Sequence, residues 1–453
     1  MRSREPTMIT KASSQAFATL AALLVALCLL VWWGAFHDAR ALETRSFVPG
    51  QIVVETQPGI NIGTINSRYG TQVKERFLNS KNTNTYLLKI ADGTGVLAKV
   101  DEVSGASGIR YAEPNFLTGV PEGDYGVEAN PRHYAFPAGD ATPTTRKYSR
   151  NSPSTGTSYD DAALGLSAAR EISKGAGTTV AVVDTGAQMG HPALKARFVG
   201  VPRYDFVSDD KDPSEPPLAS TEAQRNQEVV GHGTHVAGIV NLVAPAASLM
   251  PLRALNRDGS GSVFHVAEAT AFADANGADV INLSLGAPSW SRLLGEKVNQ
   301  AIAHGSVVVA AAGNHGAPTP QYPAARQLPA ADDDDGLLAV TSVDPAGKKS
   351  DFANYGTWVD VAAPGEEILS TYPVSKYAYW SGTSMAAPFA AGEAALIATQ
   401  QVQPTPAGIE KQIRRGARCL DDKNPPRMLG AGHIDIGNSL RGIEGNHCIL
   451  AGV

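Results

Sequence analysis

Thiols are scarce in this chain. It has 453 residues and three cysteines, Cys28, Cys419 and Cys448. Cys28 lies in an N-terminal apolar run, and the remaining pair cannot build a zinc site unaided. Basic charge is scarce too. The formal net charge is -6 and no long basic stretch occurs, which argues against nucleic acid as the main partner. The 45 Gly and 29 Pro follow no period, so collagen-like and low-complexity readings fail. There is no His-Glu-x-x-His of a helical zinc protease, no Gly-x-Ser-x-Gly elbow of an esterase-type hydrolase, and no EF-hand spacing.

What is present begins with an export pattern. Arg2, Arg4 and Lys11 precede an uncharged apolar run over residues 16–36, followed by Ala39-Arg40-Ala41. A basic head, an apolar middle and a small-residue exit spell an export signal. The run is also long enough to cross a bilayer, and Trp32 and Trp33 could sit at an interface. Cleavage after Ala41 and retention as a membrane anchor through residues 16–36 are both open. Either way the rest of the chain faces an extracytoplasmic space. There a disulfide between Cys419 and Cys448 is plausible, with two free buried thiols as the alternative.

With 43% hydrophobic and 18% charged residues, the chain can build a sizeable core in two or three domains. Residues 45–118 predict a small unit. Strands are expected at 51–55, 85–90 and 109–113, and helices at 62–69 and 96–103, a split β-α-β arrangement of ferredoxin-like type. Residues 119–158 are rich in Pro, Gly, Ser and Thr and read as a linker. From 159 to 453, apolar runs at 179–183, 248–252, 280–285, 307–312 and 338–342 alternate with helical stretches such as 263–276 and 293–304. That alternation predicts an α/β unit, a mostly parallel sheet with helices on both faces, whose functional groups gather at the carboxyl ends of strands.

Several segments carry chemistry. "VAVVDTG" ends a strand on Asp184, "GHGTHVAGIV" opens a helix at His232, and "SGTSMAAPFAAG" places Ser384 at another helix start. A serine hydroxyl needs an imidazole to take its proton, and the imidazole needs an acid to fix its tautomer. Taken singly, each residue has a bland reading: a turn-capping Asp, a satisfied core His, a helix-capping Ser. "VVVAAAGN" ends a buried strand on Asn314, whose amide could stabilise an oxyanion together with the Ser384 backbone N–H.

With "INLSLG", "YPAA" and "VAAPG" in the same order, these blocks resemble a subtilisin-like serine protease over roughly residues 160–440. The resemblance implies a triad of Asp184, His232 and Ser384, with Asn314 at the oxyanion. It implies a peptide-binding edge at Ser284, Leu285 and Gly286, with Ala312 and Gly313 lining the far side of the first specificity pocket. Small residues there suggest room for a large apolar or aromatic side chain before the scissile bond. His191 and His235 fall outside the triad and are read as structural. "IRYAEPN" at 109–115 is similar to the end of inhibitor-like propeptides of that family. The implied protein is an exported endopeptidase acting on peptides or proteins, made as a self-processed precursor with its own propeptide as inhibitor. No cofactor is needed for the chemistry. The acid-rich loop of Asp205, Asp209, Asp210 and Asp212, and the run Asp332 to Asp335, leave structural calcium open and unassigned.

Overall fold

The computed structural model describes residues 47–122, 136–137, 164–217, 229–326, 335–400, 404–420, 424 and 428–446. The N-terminal apolar run, most of the linker, and Asp332 to Asp334 lie outside them. Among the described residues, no helix is long and apolar enough to cross a membrane.

The N-terminal unit runs β1 (Phe47–Thr56), α1 (Ile62–Tyr69), β2 (Thr71–Arg76), β3 (Thr85–Ile90), α2 (Val96–Ser104) and β4 (Ile109–Gly119). Its strands pair antiparallel in the order β2-β3-β1-β4. Asn61 caps α1 through its side chain, and Gly70 ends that helix in the left-handed region. The ferredoxin-like expectation is met. The unanticipated strand is β2, whose charged TQVKER carries little apolar signal at a sheet edge.

The larger unit is built on a seven-stranded sheet. Its members are β6 (Thr179–Asp184), β7 (Tyr204–Asp205), β8 (Ser248–Arg253), β10 (Val280–Leu283), β11 (Val307–Ala311), β12 (Leu337–Val343) and β13 (Val361–Pro364). They lie in the order β13-β12-β11-β10-β6-β8-β7, with every pairing parallel. The expected parallel sheet is therefore present. A short strand β9 (Ser260–Ser262) stands apart, and β14 (Ile368–Tyr372) and β15 (Lys376–Trp380) form a hairpin onto which β5 (Phe136–Pro137) pairs.

Helices α4 (His232–Val243) and α7 (Thr383–Ala398) pack together through the core. Every residue of α7 from Thr383 to Ile397 is buried, which explains its run of Ala, Gly and Leu with no polar face. A Cβ on Gly392 would come within 2.5 Å of the Val243 Cβ, so the small residue permits this close crossing. Other helices are α3 (Leu166–Ile172), α5 (Val263–Ala275), α6 (Arg292–His304), α8 (Pro406–Gly416) and α9 (Ile436–Arg441). Cys419 is disulfide-bonded, to a partner outside the described residues.

The two units meet along a broad seam. Glu113 of β4 accepts hydrogen bonds from the Ser291 hydroxyl and the backbone N–H groups of Arg292 and Leu293, so its carboxylate sits on the positive end of α6. Asn115 accepts from Phe264 N at the start of α5 in the same manner. Strand β4 then continues through Leu117, Thr118 and Gly119 against β9. The sequence assigns Gly119 to Glu122 to a linker; in the structure Gly119 ends β4 and residues 120–122 lead on into a cleft.

Candidate active site

Asp184 ends β6 at the carboxyl edge of the sheet and is wholly buried. One oxygen, Oδ1, accepts from Thr185 N and contacts His232 Nδ1 at 2.7 Å. His232 is the first residue of α4, entered through Gly231 at φ +98°, where a Cβ would strike Pro373 and Tyr372. Its ring lies 5.3 Å from that of Trp380. Ser384 lies in the first turn of α7, and its carbonyl accepts from the Ser284 hydroxyl at 2.9 Å. The Asn314 carboxamide is oriented by Thr383, whose N–H and hydroxyl both donate to Oδ1 at 2.9 Å. The amide N–H₂ of Asn314 is thereby aimed at the mouth of α7.

A residue without any sequence signal stands at the centre. Glu122 Oε2 accepts from Ser384 Oγ at 2.7 Å and contacts His232 Nε2 at 3.2 Å, while Oε1 accepts from Asn314 Nδ2 at 2.9 Å. One carboxylate thus bridges the serine, the imidazole and the side-chain amide. Burial alone would lower the His232 pKa, but the Asp184 and Glu122 carboxylates outweigh it and push it up to about 10. Burial alone would raise Glu122; the His232 ring, with the Ser384 and Asn314 donors, holds it below the usual carboxyl range.

The segment leading to Glu122 lies as a strand between two edges. Gly119 N donates to Gly286 O at 3.0 Å and Gly286 N to Gly119 O at 2.8 Å. On the other side, Val120 N donates to Gly259 O at 3.1 Å. Gly286 thus forms one edge of the slot that holds this segment. In this antiparallel register, the next N–H toward Ser284 O would belong to residue 121, which is proline. The Ser284 carbonyl accepts from Ser384 Oγ at 3.2 Å instead.

Ala312 and Gly313 close the far side, beyond the end of β11. The space between the walls is not empty. The Gln321 side chain lies so that a Cβ on Gly286 or on Gly313 would come within 2.6 Å of its Oε1. Gln321 is held by His315, with Nε2 and Nδ1 3.0 Å apart. A carboxamide, rather than open space, therefore lies between Gly286 and Gly313.

Other residues support the site. Glu215 accepts from Thr185 Oγ1, Thr234 N and Thr234 Oγ1, tying the turn after Asp184 to the first turn of α4. It too lacks a motif in the sequence. His235 Nε2 lies 3.0 Å from the carbonyls of Ile368 and Ala378 and so anchors α4 to the hairpin. Burial drives its pKa down to about 3, and it stays neutral. His191 contacts the Lys376 carbonyl at 3.0 Å, again structurally. In the acid-rich loop, Asp205 accepts from Val207 N and Ser208 N and pairs with Arg253. Asp210 and Asp212 accept from backbone N–H groups two residues on, and Asp209 takes the Tyr204 hydroxyl.

This geometry belongs to a serine hydrolase, and the chain is a member of the subtilase family, whose Peptidase_S8 domain matches residues 175–432. It is a serine endopeptidase of that family. Residues 37–115 match the fervidolysin N-terminal prodomain. The chain is 34% identical over 379 residues to the thermophilic serine proteinase of Bacillus sp. (strain AK1), covering 79% of this chain and 80% of that protein. It is 44% identical over 240 residues to thermitase of Thermoactinomyces vulgaris, covering 51% of this chain and 78% of that one. Crystalline fervidolysin from Fervidobacterium pennivorans shares the fold, with a TM-score of 0.66 at 24% identity over 88% of this chain and 61% of that one.

Proposed function

We propose that this protein is an exported endopeptidase made as a latent precursor, processed by its own Asp184–His232–Ser384 triad and held off until then by its own residues 117–122. The observation carrying this reading is the Glu122 carboxylate, bonded at once to Ser384 Oγ, His232 Nε2 and Asn314 Nδ2. It puts negative charge where an oxyanion would develop, and it keeps the imidazole protonated. A protonated His232 cannot accept the serine proton, so the donors and the base are blocked together.

Once Glu122 withdraws, a peptide strand takes the slot between β9 and the 284–286 edge. Ser384 Oγ passes its proton to His232 Nε2 and attacks the carbonyl carbon. The tetrahedral oxyanion is met by Asn314 Nδ2 and the Ser384 N–H, while Asp184 holds the imidazolium. His232 then protonates the departing amine, and water hydrolyses the acyl-enzyme by the same relay in reverse. Export through residues 1–41 agrees with the disulfide at Cys419. Structural calcium near the acid-rich loop stays within this reading as an accessory, outside the chemistry.

Pro121 supports a processing site beyond Glu122. It has no N–H for the Ser284 carbonyl, so the bond after it lacks the backbone contact that would hold it for attack. The Gln321 carboxamide favours a small or polar side chain before the scissile bond over the large apolar one that the small residues suggest. The test joins mass and N-terminal sequence of the product. The mature chain should begin within 123–158, and a fluorophosphonate should label it at Ser384. Ser384→Ala should accumulate uncut and lose turnover by about 10⁶-fold. Normal trimming of that variant, or a mature chain beginning at Glu122, would overturn the scheme.

A further inference from the structure

The seam between the two units holds a cluster that the triad does not use. Glu75 comes from β2 of the N-terminal unit; His265 and Glu268 come from α5 of the catalytic unit. His265 and Glu268 are three apart, one turn of helix, and share a face. His265 Nε2 lies 3.3 Å from Glu75 Oε2. One ligand atom from each of the three residues lies within 4.8 Å of the others.

Glu268 is the telling member. It is 2% exposed, and its Oε2 has no hydrogen-bond partner. Its Oε1 accepts from Leu78 N at 2.6 Å, and Leu78 is held at φ +52°, in the left-handed region. A non-glycine residue is thus kept in an uncommon conformation where its N–H orients this carboxylate. Among the described residues, no Lys or Arg forms an ion pair with Glu75 or Glu268. Phe264 and Phe77 stand edge to face beside the cluster, their ring centroids 5.6 Å apart. A buried oxygen without a donor, two carboxylates and an imidazole in one small space call for a cation.

We propose that Glu75, His265 and Glu268 form a divalent-metal site, best suited to zinc, that staples the N-terminal unit to the catalytic unit in the precursor. One imidazole nitrogen and two carboxylate oxygens match zinc's ligand preferences and leave a fourth position for water. The two carboxylates neutralise the ion, and the Leu78 N–H supplies the outer contact that fixes one of them. Because Glu75 and the other two residues lie on different units, the ion binds the docked pair and stabilises it by mass action. Its consequence for latency rests on the function proposed above; its binding does not.

The test uses the full-length Ser384→Ala chain, which keeps both units covalently joined whether or not the protein processes itself. After zinc loading and dialysis against metal-free buffer, elemental analysis should find one zinc per chain. Cobalt substitution should give the intense visible bands of a four-coordinate ion. Glu75→Gln, at a partly exposed position that leaves the core intact, should weaken zinc affinity by more than about 100-fold, and His265→Gln likewise. Folded protein that retains no zinc would overturn the proposal. Equal zinc in the parent and both variants would overturn it as well, marking adventitious surface binding. In the active chain, zinc should lengthen the lag before processing, and Glu75→Gln should abolish that effect.

Discussion

The two units bury their sheets differently. In the catalytic unit, helices of that unit cover both faces of the parallel sheet, and its strands read as continuous apolar runs. The N-terminal sheet is covered on one face only by its own helices. There Ile52, Val54, Tyr86 and Leu88 pack with Ile62, Ile65, Val96 and Val103. The other face, with Val53, Leu87 and Tyr111, joins the core of the catalytic unit. The smaller unit therefore completes its burial on its partner. Separated, it would expose a sheet face, and a domain of this size has little stability to spare. Docking on the catalytic unit therefore adds to the stability of the N-terminal unit.

That contrast can be broken at neighbouring residues. Leu88→Ala removes a side chain from the unit's own core, at a cost of about 2–5 kcal/mol. The expected outcome is loss of the folded N-terminal unit and collapse of the yield of processed enzyme, read by circular dichroism and gel. Leu87→Ala makes the same deletion on the docked face. It should leave the secondary structure of the unit in place while weakening its hold on the catalytic unit, so that fluorophosphonate labelling of the precursor speeds up by tens-fold or more. Equal behaviour of the two variants would erase the distinction between the faces.

The next effect in size concerns the stopper. Charge-assisted hydrogen bonds to a buried carboxylate are worth about 1.5–3 kcal/mol each, so Glu122→Ala should raise the initial labelling rate of Ser384 in the uncut chain by about 10- to 100-fold. An unchanged rate would mean that the backbone of residues 117–121 suffices for latency. A pH profile sharpens this. The His232 pKa is raised to about 10 in the docked state, so its contribution is complete below about 6.5, the ordinary histidine value. It is lost as pH rises through about 10. Glu122 is lowered, so its contribution is present above about 4.5 and is lost as pH falls through its docked value. Processing should therefore quicken several-fold from pH 7 toward pH 10, and Glu122→Gln should flatten that rise.

The smallest expected change lies in the cleft itself. Gln321→Gly removes the carboxamide between Gly286 and Gly313 and opens the space that the surrounding small residues suggest. The ratio of kcat/KM for aromatic over small side chains before the scissile bond should increase by about tenfold. A ratio that stays put would show that another group limits the pocket.

Much of this architecture was readable from residues alone, and the reasons are physical. Strands buried on both faces, such as Val307–Ala311, announce themselves as apolar runs. The helix of residues 62–69 shows its capping Asn61 and its period. Strands that stay partly wet do not: TQVKER at 71–76, on a sheet edge, and KYAYW at 376–380, in the small three-stranded sheet, carry charge or mixed polarity. Asp184, His232, Asn314 and Ser384 sit in recognisable blocks because each is tied to the end of a strand or the start of a helix. Glu122 and Glu215 have no such tether. Glu122 is one of several acids in a Pro- and Gly-rich stretch, and only the path of the chain beyond Gly119 brings it to Ser384. Gln321 is hidden for a related reason: Gly286 and Gly313 look roomy in sequence, but its carboxamide reaches between them.

Pro121 has a further consequence. While the chain is continuous, the stopper is present at an effective concentration of order millimolar, set by its tether, and cannot be diluted away. A cut downstream of Glu122 turns the same contact into an ordinary bimolecular equilibrium. On the function proposed above, activity would then depend on the volume into which the cut chain is released: confinement keeps it silent, while open medium lets inhibitor and protease drift apart. On that reading, the proline that places the cut beyond Glu122 makes dilution itself the signal for activity.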